Sequence, residues 1–337
     1  MSERKNNILI NISAGIGDAL MAEPLVRVIK QTKPDIKIDL LVSLPTKAIF
    51  QNNSSVNRIF VLELGFLKII KLIRQLRKQR YDIFIGTIPS NTLSQVLVPY
   101  LSGIPFRTKH RTPHIGSRDF DFLFNRIEPI PEGRHRIKCN LDLLKHVGVS
   151  HSEVDASPNF LVSDDVLLNV NGMLAQEGFD TKKLTVGFHP GCNMQAALKR
   201  WAPNNYAKLM QYFQEQWNAQ LIIVGGQDEQ EDVRHIESLL TDKPMNFVGK
   251  ASLHETAALI KLCTFLISND SGIMHLATAV GVPVFAIFGP KDERHIGPYG
   301  NKHTVIREGT DVNNVSVEKV VNTILQSEYG LKQNINK

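Results

Sequence analysis

Four short stretches in this chain put small, polar and charged residues directly after apolar runs that read as strands. In "INISAGIGDALMAEPL", Ile10 to Leu25, Ser13-Ala14-Gly15-Ile16-Gly17 precede Asp18, which opens a helical pattern. Glycines let the backbone turn sharply and approach a ligand. An acid here would repel a phosphate, so Asp18 is either a first-turn helix residue or a base facing a hydroxyl. In "VGFHPGCNMQAALKRWAP", Val186 to Pro203, a turn at His189-Pro190-Gly191 is followed by Lys199-Arg200-Trp201. A backbone turn with a reachable lysine suits a diphosphate, because Lys is a mobile point charge; the plainer reading is two surface cations ahead of a packed Trp201. In "LIIVGGQDEQEDV", Gly225-Gly226 end a strand and Asp228 and Glu229 begin a helix. Acids there complement the helix dipole, and a carboxylate could also hold ribose hydroxyls. In "LISNDSGIMHLATAVGVPVFAIFGP", Leu266 to Pro290, Asn269-Asp270-Ser271-Gly272 break two buried-looking runs. Backbone N–H groups at Ser271 and Gly272 would face an anion at a helix N-terminus. Asp270 can cap that helix, and His275 lies one turn further on the same side.

The elements needed to position these loops follow from the alternation of short β-branched runs with helical patterns, the form of βαβ units around a parallel sheet. Strands are expected at Ile8–Ile12, Lys37–Val42, Arg58–Leu62 and Asp82–Thr87. A second series runs through Leu184–His189, Gln220–Val224, Met245–Val248, Thr264–Ser268, Val282–Phe288 and Thr304–Ile306. The stretch from Ile104 to Arg136, rich in Pro, Gly, His and Arg, reads as an irregular loop region. A helix over Asp164–Gln176 opens the second half. At 337 residues two domains are expected, at 1–155 and 156–337. The C-terminal helix is expected to pack back on the first.

Composition narrows the function. Hydrophobic residues make up 42% and charged residues 21%, as in ordinary globular proteins. No apolar run reaches the roughly 18 to 20 residues of a membrane helix, and MSERKNN leads straight into a strand without a signal-peptide pattern. Cys139, Cys192 and Cys263 form no metal-binding spacing, so a cytoplasmic chain without a metal or cofactor is expected. Residues 1–150 hold 23 Lys and Arg against 12 Asp and Glu, and the remainder 16 against 21. The basic half suits an anionic partner. Its helix "FLKIIKLIRQLRKQR", Phe66 to Arg80, reads either as a core-facing stripe with a solvated charged face or as a membrane or acceptor surface. Arg107, Lys109 and Arg111, with Arg118, Arg134 and Arg136, form a second basic candidate. No glycine loop has dinucleotide or P-loop spacing, which disfavours an NAD-dependent oxidoreductase.

Gly17-Asp18 with Pro24, "HPG…LKRW", "VGG" before an acidic helix start, and "NDSGIMHLATAVGVPVFAIFGP" together resemble glycosyltransferase family 9, the ADP-heptose:lipopolysaccharide heptosyltransferases. The motifs span nearly the whole chain in order. The resemblance implies a GT-B fold, two Rossmann-like doubly wound domains facing across a cleft. It also implies inverting, metal-independent transfer from a nucleotide-diphosphate sugar, ADP-heptose, to an anionic lipopolysaccharide inner-core hydroxyl, with possible contact at the inner membrane face and no nucleic acid. On that pattern Asp18 is the general base and Lys199 neutralises the diphosphate. His189, Gly191, Glu229, Asp270, Ser271, Gly272 and His275 bind the donor, and Gly17, Lys68, Arg107, Lys109 and Arg111 meet the acceptor. Two departures bear on the donor: Lys291 stands where family members often have Thr, and the segment from Gly191 to Lys199 is long, with Cys192 and Met194 inside it. Alternatives are another nucleotide sugar and surface glycan, an epimerase on the same scaffold, and a non-catalytic nucleotide-sugar or glycan-binding module.

Overall fold

A computed structural model describes residues 7–88, 92–111, 120–150, 154–192 and 198–330. Arg118 and Met194 lie outside them. The chain divides into two compact units, residues 1–158 and 159–337.

The first unit runs β1 (Asn7–Ile12), α1 (Ile16–Thr32), β2 (Lys37–Val42), α2 (Lys47–Phe50), β3 (Arg58–Val61), α3 (Phe66–Gln79), β4 (Ile83–Gly86), α4 (Leu93–Leu101), β5 (Phe106–His110), β6 (Arg126–Glu128) and α5 (Arg136–Asp142). Its six strands are all parallel, in the order β3-β2-β1-β4-β5-β6. Ile8, Leu9, Ile10 and Ile12 of β1 are all fully buried, because a central parallel strand is covered by helices on both faces and must be apolar on both.

The second unit runs α6 (Asp164–Gln176), β7 (Thr185–His189), α7 (Pro203–Trp217), β8 (Gln220–Ile223), α8 (Gln230–Ser238), β9 (Met245–Asn246), α9 (Leu253–Lys261), β10 (Phe265–Asn269), α10 (Gly272–Ala279), β11 (Val284–Phe288), α11 (Glu293–Ile296), β12 (Thr304–Arg307) and α12 (Val317–Leu325). The order β12-β11-β10-β7-β8-β9, again parallel, repeats the topology of the first sheet. Phe188, Phe213, Phe265 and Phe285 meet edge-to-face in its core, the geometry that ring quadrupoles favour.

Both units are therefore Rossmann-like, as expected. In each, the strand order reverses between the first and fourth strands, and a ligand crevice forms beyond their carboxyl ends. One expectation fails. The region from Ile104 to Arg136 is not a continuous loop but contributes β5 and β6. Its basic and aromatic residues hid a strand because Arg107 and Lys109 satisfy their polar groups inside the unit. The last helix, α12, seats Val320 and Ile324 in the core of the second unit.

Candidate active site

At the second unit's switch point, β7 and β10 lie side by side although their residues are some 80 positions apart, with Ser268 opposite His189. The final residue of β10, Asn269, is fully buried and fastens three segments. Its Nδ2 donates to the Pro190 carbonyl at 2.6 Å, and its Oδ1 accepts from the Trp201 backbone N–H at 3.2 Å and the Tyr206 hydroxyl at 3.0 Å. The indole N–H of Trp201 donates to the Val315 carbonyl at 2.7 Å. The turn after β7 and the start of α7 are thus held against the end of β10.

On this frame Lys199 forms an ion pair with Asp270, with side chains 17% and 6% exposed. Beside it, Ser271 caps α10, its Oγ accepting from the Met274 N–H at 3.3 Å. The first-turn N–H groups of a helix have no intrahelical acceptors, so Gly272 and Ile273 present donors and the positive end of the dipole. His275 is buried one turn into α10. A lysine tethered by a carboxylate at a helix N-terminus can accept an anion without first being ordered.

Glu229 occupies a slot between two glycines. A Cβ on Gly191 would come within 1.8 Å of its Oε1, and one on Gly225 within 2.0 Å of its Oε2, so neither position admits a side chain. Its carboxylate accepts from the Gly226 N–H at 3.0 Å. Burial pushes its pKa up, opposed by His189, whose Nδ1 lies 3.5 Å from Oε2. The same Nδ1 is 3.0 Å from the Val224 carbonyl; a carbonyl only accepts, so this nitrogen carries the proton. Arg200, which follows Lys199 in sequence, bridges Asp232 at 2.7 Å and the Cys192 carbonyl at 2.8 Å. Lys291 is exposed beyond β11.

The first unit's switch point is built from neutral groups. Asn11 Oδ1 accepts from the Ser13 N–H at 3.1 Å. Gln95 of α4 donates to the Ser13 carbonyl at 2.8 Å, Ser43 to the Ala14 carbonyl at 2.8 Å, and Thr87 to the Asn11 carbonyl at 2.9 Å. Gly15 is the N-cap of α1 and supplies no side-chain cap, and Gly17 and Asp18 fall in the first turn, half-buried.

The basic candidates separate. Lys68 is exposed on α3 and pairs with Glu63 at 3.3 Å. Arg107 donates to the Leu123 and Pro105 carbonyls at 2.7 and 3.2 Å, with its guanidinium 5.4 Å from the Tyr100 ring centroid. Lys109 is 2% exposed, paired with Asp121 at 2.8 Å and 4.9 Å from the Phe124 ring centroid. Arg134 grips Asp142 through two bonds of 2.7 and 2.8 Å. Arg107 and Lys109 therefore tie β5 to the segment before β6 rather than standing as free surface cations, whereas Arg111 is exposed. Sequence reasoning placed Asn269 in the donor loop but did not foresee it as a clamp. It missed Gln95 and Thr87 altogether, since nothing near them signals partners roughly 80 positions away.

Among the described residues, no cluster of three or more His, Cys, Asp or Glu side chains could hold a metal ion, and no helix is long and apolar enough to cross a membrane.

Residues 69–323 match the family model "Glycosyltransferase family 9 (heptosyltransferase)". The lipopolysaccharide heptosyltransferase 2 of Escherichia coli K12 is 26% identical over 315 residues, 89% of this chain and 87% of that one. Among solved structures, a family 9 glycosyl transferase from Veillonella parvula superposes with a TM-score of 0.83 at 20% identity, covering 100% and 99% of the two chains. An E. coli heptosyltransferase solved with ADP gives 0.74 at 19%, covering 94% and 98%. With two matching Rossmann-like units and a family match over most of its length, the chain is a glycosyltransferase of GT-B fold and belongs to glycosyltransferase family 9, the heptosyltransferases.

Proposed function

We propose that this enzyme moves a heptosyl group from ADP-heptose to a hydroxyl of the lipopolysaccharide inner core, with inversion and without a metal, at the inner face of the cytoplasmic membrane. The observation that carries the reading is the Lys199–Asp270 pair beside the N-terminus of α10 at the second unit's switch point. The names of its relatives supply the substrates. The leaving group of such a transfer is a diphosphate, whose developing charge needs a cation and aligned N–H donors. Lys199 and the N–H groups of Ser271 and Gly272 provide both. As the bond from the anomeric carbon to the diphosphate oxygen breaks, the acceptor oxygen forms the new bond and gives its proton to Asp18. Asp270 holds Lys199 in position. Glu229, with His189 and Gly191, lines the nucleoside side, and Gly17 and the exposed cations Lys68 and Arg111 serve the acceptor.

A thermal-shift panel with ADP, UDP, GDP, CMP and dTDP at equal concentration tests the donor, because selective binding to the folded state raises its stability. ADP should give the largest shift. A larger shift with another nucleotide would move the enzyme to a different sugar.

A further inference from the structure

Apart from Lys68, the outer side of α3 takes no part in the reading above. The helix buries Leu72 and Leu76 and packs Ile69 and Ile73 on the core of the first unit. At 100° per residue, Leu67, Ile70, Lys71, Arg74 and Lys78 form one stripe on the opposite side. Among the described residues Lys71, Arg74 and Lys78 make no hydrogen bond or ion pair, and all three are exposed. Arg77 and Arg80 add further exposed charge. At the head of the stripe, Leu64, Phe66 and Leu67 are 78%, 79% and 78% exposed. Gly65 between them has φ +127°, a conformation that favours glycine and turns the chain sharply into the helix.

Three large apolar side chains in water at the head of an unpaired cationic stripe need a partner that is apolar in one layer and anionic in the next. A second copy of the chain would set the same cations against one another. A nucleic acid would neutralise the cations but leave Leu64, Phe66 and Leu67 without a use. A bilayer with anionic headgroups answers both halves: the apolar trio enters the acyl boundary and the cations lie among the phosphates. We propose that Leu64–Lys78 is the docking surface of this enzyme for an anionic phospholipid bilayer. The inference deepens the proposed function, since a lipid-linked acceptor has to be met at such a surface.

Co-sedimentation of the full chain tests it, using vesicles of phosphatidylethanolamine with phosphatidylglycerol against phosphatidylcholine alone. Wild type should bind the anionic vesicles, and more weakly as salt rises. The variant combining Lys71→Glu, Arg74→Glu and Lys78→Glu should lower partitioning by at least roughly 100-fold, given the usual contribution of each juxtamembrane cation. Phe66→Ser with Leu67→Ser should lower it by roughly 100-fold, and Phe66→Trp should shift its emission to the blue on anionic vesicles only. Both multiple variants should turn over a delipidated core oligosaccharide at the wild-type rate, which shows that they are folded. Equal binding to neutral and anionic vesicles, or wild-type binding by the charge-reversal variant, overturns the proposal. So does loss of oligosaccharide binding in that variant, which would make the face a glycan site. Failure of wild type to use any heptose acceptor would sink the proposed function and leave the vesicle result readable on its own.

Discussion

At the switch point of the first unit, between β1 and β4, neutral side chains hold the loop and a single carboxylate, Asp18, stands in the first turn of α1. At that of the second, between β7 and β10, the cation Lys199 stands against Asp270 beside the capped start of α10. The strand order is the same; the charge beside the helix N-terminus is not. Shared topology supplies a crevice and a dipole twice over. On the proposed function, the sign of the added charge suits one crevice to a diphosphate and the other to a hydroxyl proton.

The sharpest way to break this contrast is Asp18→Asn. Removing a general base costs about 10²- to 10⁴-fold, so on the proposed roles kcat should fall by about a thousandfold while ADP affinity, assigned by that proposal to the other unit, stays unchanged. Near-normal turnover would end the assignment of Asp18 as base. The second comparison is structural. Asn269→Ala strands the Trp201 N–H and leaves the Tyr206 hydroxyl only the His189 carbonyl at 3.4 Å, and a buried unpaired group costs about 1 to 3 kcal/mol. A loss of about 3 kcal/mol in urea unfolding is expected; an unchanged midpoint would show that Asn269 does not clamp the loops.

Lys199→Ala should weaken ADP roughly 30-fold, about 2 kcal/mol for a charge-assisted contact, and leave adenosine binding unchanged. Equal losses for both ligands in calorimetry would place Lys199 elsewhere than on the diphosphate. The smallest effect concerns Glu229. Its folded pKa is raised by burial, so the fold favours the protonated form, and the associated stability is present at acid pH and lost as pH rises through the raised value. Glu229→Gln should therefore be more stable than wild type at neutral pH, with the gain vanishing once pH drops below the ordinary carboxylate range. A gain that persists in acid would mean burial of the charge is not its source.

Much of this site was legible along the chain. The Asn-Asp-Ser-Gly break after β10, the Lys-Arg-Trp start before α7 and the Gly-Asp entry to α1 each combine a strand end, a turn and a helix start within a few residues. Local chemistry marks such places. Arg107 and Lys109 were read as a surface patch because a run of cations ordinarily faces water. Asp121, twelve positions from Lys109, makes its burial affordable, and spacing carries no sign of that pairing. The slot around Glu229 was equally hidden, since Gly191 and Gly225 mark it only once β7 and β8 are neighbours.

The sequence by itself determined the alternation of strands and helices, the positions of the loops that follow the strands, and the residue types able to meet a diphosphate or a hydroxyl proton. Those properties follow from periodicity, glycine and helix-start chemistry over a few residues. Only the tertiary structure decided which loops share a crevice, that Arg200 turns away to Asp232 while Lys199 stays with Asp270, and that Asn269 binds three segments into one. These depend on strand order. Order is chosen by how whole faces bury against one another, and no short stretch of sequence contains that information.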